Sequence, residues 1–180
     1  MPLPKETEIA PPDLFDLPPE LGWRVAHVRS RQEKVLARFL LQRHIAFYLP
    51  QTTHETRSGG RTRTSYLPLF PGYVFFRGDR NARSIVVRSD LTANIIDVAD
   101  QSLLHGELRQ IRQLQLSGAS FLHYDDILPG EPVRIMDGAF EGYTGIVIPG
   151  ARGDRLLVSI SLLRKNVAVE FGRAILKRTR

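Results

Sequence analysis

Guanidinium groups and aromatic rings are the side chains through which this chain can act on a partner. Between residues 21 and 120 it carries 15 Lys or Arg against 7 Asp or Glu, and Lys34 is the only lysine in that stretch. Residues 1–20 are acidic and residues 121–180 nearly balanced, so the middle carries most of the net charge of +6. A planar guanidinium fork matches phosphate, so this concentration predicts a polyanion nearby. Solvated surface arginines are the plain alternative. The aromatics gather in Tyr66-Leu67-Pro68-Leu69-Phe70-Pro71-Gly72-Tyr73-Val74-Phe75-Phe76. Proline fixes φ and biases the residue before it toward extended geometry, so Leu67 and Phe70 should be extended and Phe70-Pro71-Gly72 should turn. The turn feeds a strand with aromatics on both faces. One face can fill a core, and the other suits a partner.

Other chemistry finds little support. The five histidines (His27, His44, His54, His105 and His123) are scattered, without the spacing of a metal or catalytic cluster. Gly138-Ala139-Phe140-Glu141-Gly142-Tyr143-Thr144-Gly145 lacks the G-x-G spacing and the lysine of a phosphate-binding loop. Cysteine is absent, which removes disulfide and thiolate chemistry and favours a reducing interior. No apolar run is long enough for a membrane span, and the start lacks the order of a signal peptide. The expectation is a cytoplasmic binding protein, not an enzyme, with no cofactor, no metal and no membrane partner.

The elements that must position these groups fall into a tail and two domains. Residues 1–20 hold Pro2, Pro4, Pro11, Pro12, Pro18 and Pro19 and read as a disordered acidic arm. Trp23 to Val28 alternates as a strand. Ser30-Arg31-Gln32-Glu33 matches a capping box, predicting a helix to about His44 that buries Val35, Leu36, Phe39 and Leu40. Ala46–Leu49 reads as a strand ending at Pro50. Gly59-Gly60 marks a hairpin between polar strands, whose Arg57, Arg61 and Arg63, with the later Arg77, either face nucleic acid or guard an edge. A short helix over Ala82–Ser89, a strand over Ile95–Val98 and a helix capped by Asp100 follow. Strands alternating with helices over 21–118 predict an α/β sandwich, a mainly antiparallel sheet with flanking helices. Residues 119–128 read as a linker. Over 129–180, short β segments at 131–136, 145–149, 156–160, 166–171 and 174–177, punctuated by glycine, predict a small β-barrel. The class is α+β.

Motif order then carries a resemblance. The Trp23 strand, the following helix, Leu69-Phe70-Pro71-Gly72-Tyr73-Val74-Phe75, Val87-Arg88-Ser89, Gly130-Glu131-Pro132-Val133-Arg134-Ile135 and Asp137-Gly138-Ala139-Phe140-Glu141-Gly142 together resemble the NusG family of bacterial transcription elongation factors across residues 22–180. The resemblance implies an N-terminal NGN domain (21–118) and a C-terminal KOW β-barrel (129–180). It implies binding to the clamp helices of RNA polymerase through Phe70, Tyr73 and Phe75, with Trp23 and His27 beside them. The basic helix would then face the DNA of the elongation complex through Arg29, Arg31, Lys34, Arg38 and Arg43, with Gln42 able to bond a base edge. In the family the barrel recruits Rho or a ribosomal protein, and the matching loop here includes Leu162, Leu163 and Arg164.

Leu163-Arg164-Lys165 stands where general members carry Phe-Gly-Arg, and Gly138-Ala139-Phe140-Glu141-Gly142 and Leu91-Thr92-Ala93-Asn94-Ile95 also depart from the usual pattern. The first two departures resemble the RfaH-like specialised paralogues and count against recruitment of Rho. The implied function is suppression of pausing and transcription antitermination at a restricted set of operons, by a monomer. A general NusG coupling polymerase to Rho or the ribosome is the near alternative, and a KOW-containing ribosomal or RNA-binding protein the distant one. RfaH-like members can hold the second domain as a helical hairpin. The β-formers in Leu156–Ile160 and Val167–Phe171 favour a barrel here.

Overall fold

The computed structural model describes residues 5–117, 120–124, 132–135, 144–148, 155–170 and 176–178. The chain divides into two units, Met1–Gln101 and Ser102–Arg180. In chain order the first holds β1 (Ile9–Ala10), β2 (Trp23–Val28), α1 (Glu33–Gln42), β3 (Ala46–Tyr48), β4 (Gln51–Ser58), β5 (Arg61–Pro68), β6 (Tyr73–Arg77), α2 (Arg80–Arg88) and β7 (Thr92–Asp97). Helix α3 (Gln101–Leu116) starts at its last residue.

Alternation along β2 and β6 builds a two-sided sheet. Strands β1, β3, β6, β2 and β7 pair antiparallel in that order. Ala26, Val28, Phe47, Val74, Phe76 and Ile95 point to the helix side, where Leu36, Ala37 and Leu40 of α1 and Val86 of α2 complete one core. Burying each of the larger side chains contributes roughly 1.5–3 kcal/mol. On the alternate positions lie Trp23, Val25, Tyr48 and Phe75, also buried. The antiparallel sheet with flanking helices is the architecture expected for this region.

Two local expectations are corrected. The 30–33 capping box does not form: Gln32 is the N-cap of α1 without a side-chain cap bond, and Glu33 is turned inward. Val35 lies on the exposed side, so the buried stripe is Glu33, Leu36, Ala37 and Leu40. The arm over 1–20, read as disordered, is ordered from Lys5 onward. Ile9 and Ala10 pair with Tyr48 and Phe47, Leu14 is fully buried, and Phe15 sits 5.7 Å from the Trp23 ring and 5.6 Å from Tyr48. Its prolines limit helix to one 3-10 turn at Leu14–Asp16 but leave Ile9–Ala10, between Pro4 and Pro11, free to pair at a sheet edge.

Strands β4 and β5 form a separate two-stranded ribbon from Gln51↔Pro68 to Ser58↔Arg61. Gly59 and Gly60 turn it at φ of 57° and 74°, the positive values a two-residue hairpin requires.

In the second unit α3 buries Leu104, Leu108, Ile111 and Leu114, a stripe at helical spacing. Six strands follow: β8 (Ser120–Tyr124), β9 (Pro132–Ile135), β10 (Thr144–Ile148), β11 (Arg155–Ile160), β12 (Lys165–Glu170) and β13 (Leu176–Arg178). They pair antiparallel in the order β13, β9, β10, β11, β12, β8, and among the described residues the series is open. Ser120–Tyr124, read as part of a linker, is a strand against β12. Residues 125–128 and the Gly138–Gly142 motif lie outside the described residues.

Candidate functional site

The aromatic turn is where separate elements converge. Phe70 accepts from the Tyr73 amide at 3.1 Å, and Gly72 holds φ +87°, the value that the third position of a type II turn demands. Both peptide groups of Gly72 are tied to other elements. Its amide donates to the Glu33 carboxylate of α1 at 2.7 Å, and its carbonyl accepts from the Val28 amide at the end of β2 at 2.8 Å. Glu33 is only 9% exposed, so this charge-assisted bond offsets the desolvation of its carboxylate.

The turn and the adjoining end of β2 present two of the five aromatic or imidazole side chains expected to face the polymerase. His27 and Tyr73 are opposite each other across β2 and β6, with rings 5.1 Å apart and 22° from parallel. His27 is exposed and Tyr73 half-buried. Phe70, Phe75 and Trp23 are buried, at 2%, 0% and 2% exposure, so they offer no open surface. Phe70 packs edge-on against Phe75 at 5.8 Å and supports the turn from below. Trp23 lies under Phe15 and the Arg77 guanidinium, which is 5.5 Å from its ring, and its backbone is bridged by the Gln101 side chain at 2.6 and 3.0 Å.

The cations expected to face nucleic acid are spread over β2's end and α1, and several are already engaged. Arg29 forms a two-point pair with Asp90 at 2.7 and 3.3 Å. Arg38 pairs with Glu6 of the arm at 2.6 Å. Arg43 lies 5.2 Å from the Phe39 ring, and Gln42 is exposed at the last turn of α1. Desolvation lowers the Lys34 pKa, with Arg38 acting in the same sense and Glu6 and Glu33 opposing. Arg31 is exposed at φ 60°. Arg57, Arg61 and Arg63 are exposed along the ribbon. Arg77, grouped with them in the sequence, is instead 5% exposed and donates to the carbonyls of Leu14, Pro18 and Leu21 at 2.9, 2.8 and 2.7 Å.

The loop expected to meet a second partner follows β11. Leu162 is 37% exposed, Leu163 half-buried, and Arg164 exposed at φ 50°. Glu107 of α3 fixes the start of this loop, accepting from the Ser161 amide at 3.1 Å and its hydroxyl at 2.5 Å.

Sequence reasoning missed Glu33, Asp90 and Arg77. Glu33 carried a signal that pointed to a local role, Arg77 was grouped with the surface arginines, and Asp90 carried no signal, because the partners of all three are remote in the chain. Among the described residues no group of three His, Asp or Glu side chains could hold a metal, and no helix is long and apolar enough to cross a membrane.

Comparison with known proteins agrees with this arrangement at the level of fold and family. No curated protein matches the chain. A solved structure described as "Domain interaction in Thermotoga maritima NusG" superposes with a TM-score of 0.52 at 18% identity, covering 88% of this chain and 97% of that one, a likeness of fold. The family model described as "Transcription termination factor nusG" matches residues 21–112, which span β2 through most of α3. On that match over half its length, the chain belongs to the NusG family of transcription factors.

Proposed function

We propose that this protein binds RNA polymerase during elongation, suppresses pausing and promotes antitermination. The observation that carries the reading is the stacked His27–Tyr73 pair, presented by a turn fixed from two elements. A rigid aromatic surface gives contact area at low entropic cost, which suits the side of a helical coiled coil such as the polymerase clamp helices. Trp23, Phe70 and Phe75 serve this surface as its buried support. The protein acts by binding, in the cytoplasm where the polymerase works, and needs no cofactor.

Arg29, Arg31, Lys34, Arg38, Gln42 and Arg43 form the side of the unit suited to the DNA of the elongation complex. Phosphate contact there adds affinity that falls with salt and carries no sequence choice by itself. Residues 129–180 act as a KOW barrel whose Leu162-Leu163-Arg164 loop meets a second partner, a ribosomal protein or Rho. Leu163-Arg164-Lys165 in that loop supports the specialised, operon-restricted branch over the general one.

The test is binding of the full chain to core RNA polymerase and to the isolated clamp coiled coil, comparing wild type with His27→Ala and Tyr73→Ala. The expected result is saturable binding weakened by about tenfold or more in Tyr73→Ala, the scale of a central aromatic contact. Absence of binding by wild type to core polymerase rejects the reading.

A further inference from the structure

We infer that Glu33 is a positioning residue for the polymerase contact, holding the Phe70–Tyr73 turn in its one presenting conformation; the inference rests on the polymerase reading above. Type I and type II turns differ by a flip of the central peptide, here Pro71–Gly72, and the flip reverses where the Gly72 amide points. In the observed turn the internal bond runs from the Tyr73 amide to the Phe70 carbonyl, so the Gly72 amide has no partner within the turn. Glu33 supplies that partner at 2.7 Å from the first turn of α1. The Gly72 carbonyl is held by Val28 at 2.8 Å.

The residues flanking these two anchors are the stacked pair: His27 precedes Val28 and Tyr73 follows Gly72. An ion-dipole bond from a carboxylate only 9% exposed is strong enough to select one peptide orientation. Without it the turn samples a second orientation, and the presenting form becomes a fraction of the whole. Binding then weakens by that fraction, through slower productive association, while the complex once formed dissociates as before. Loss of a contacting ring shows the reverse pattern, faster dissociation. The two roles are therefore separable by kinetics.

The experiment measures association and dissociation of the full chain with core RNA polymerase for wild type, Glu33→Ala, Glu33→Gln and Tyr73→Ala, with the Gly72 amide followed by NMR in the free proteins. Glu33→Ala is expected to lower the association rate about tenfold with dissociation unchanged, and to release the Gly72 amide to faster hydrogen exchange. Glu33→Gln keeps the length and an acceptor oxygen and should lie between, at about threefold, with the amide proton shifted upfield. It gives the decision if Glu33→Ala fails to fold. Wild-type association in a folded Glu33→Ala, or in Glu33→Gln with a shifted amide, overturns the inference while Tyr73→Ala still reports on the polymerase reading. Faster dissociation as the sole effect makes Glu33 a contact and also overturns it. No binding by wild type rejects both.

Discussion

Arg77 donates to the Leu14 carbonyl at 2.9 Å, beside the point where the Leu14 side chain is fully buried. The same guanidinium reaches Pro18 and Leu21 and lies on the Trp23 ring, so a single cation on the central strand β6 fastens the Leu14–Leu21 end of the arm, while β1 holds the earlier part through its pairing with β3. Burial disfavours the charged form of Arg77, and the three carbonyl acceptors offset that cost.

Arg77→Ala should therefore destabilise the first unit by about 3–5 kcal/mol, because carbonyls and a cavity are left behind. Leu14→Ala should cost about 2–5 kcal/mol through loss of packing alone. Urea unfolding measures both. A Leu14→Ala effect under about 0.5 kcal/mol would mean that the arm is not part of the folded unit in solution.

Gly72→Ala separates backbone strain from crowding. A Cβ there would sit 3.7 Å from the His27 ring, an ordinary contact, whereas φ +87° is costly for any residue with a side chain. The expected loss is about 1–2 kcal/mol, or conversion to another turn, seen as a change in the Tyr73 and His27 ring resonances. Unchanged stability and ring shifts would show that the turn accepts a side chain at this φ without strain.

Asp90→Asn should strengthen binding to duplex DNA. Asp90 neutralises Arg29 in an exposed pair and occupies φ 58°, which asparagine also tolerates, so the exchange frees a cation without straining the loop. The slope of log affinity against log salt should steepen by about 1. Charge reversal at Arg31, Lys34 and Arg43 should flatten it. A slope indifferent to both changes would remove this side of the unit from any nucleic-acid contact.

Lys34 sets a pH dependence with a definite sign. Desolvation lowers its folded pKa below 10.5, so at alkaline pH the unfolded chain binds more protons than the folded one. Its contribution to stability therefore increases as pH rises through the lowered folded value toward the unfolded one, where the gain is complete. Lys34→Met should abolish this part of the slope between neutral pH and pH 10.5, measured as the difference between the two proteins' unfolding free energies. Parallel curves would place Lys34 in open solvent.

The sequence was most legible where the signal is local. Alternation located β2, the Gly59-Gly60 pair located the ribbon turn, and the prolines of the aromatic segment located the turn before β6. It misled where one residue type serves two purposes. Glu33 satisfies the spacing of a capping box, yet its carboxylate bonds an amide 39 positions away, which no window around the helix start contains. The arm looked too rich in proline to fold because its stabilising partners Tyr48 and Arg77 lie far along the chain. The candidate surface suffered in the same way. The family resemblance implied five partner-facing residues, but only burial separates His27 and Tyr73 from the three that hold the sheet together.

The β4–β5 ribbon also acts as a ruler. Each strand contributes eight residues, so the Gly59-Gly60 tip stands roughly 25 Å from the root at Gln51 and Pro68. The root is bonded to the aromatic turn, since the Leu69 amide donates to the Pro50 carbonyl at 2.7 Å. On the proposed docking at His27 and Tyr73, a bound partner would fix the base of a lever whose arginines reach out at a set distance. Trimming one residue from each strand shortens the lever by about 3.3 Å and inverts which face the remaining tip arginines occupy, whereas trimming two from each preserves the face and changes the reach alone.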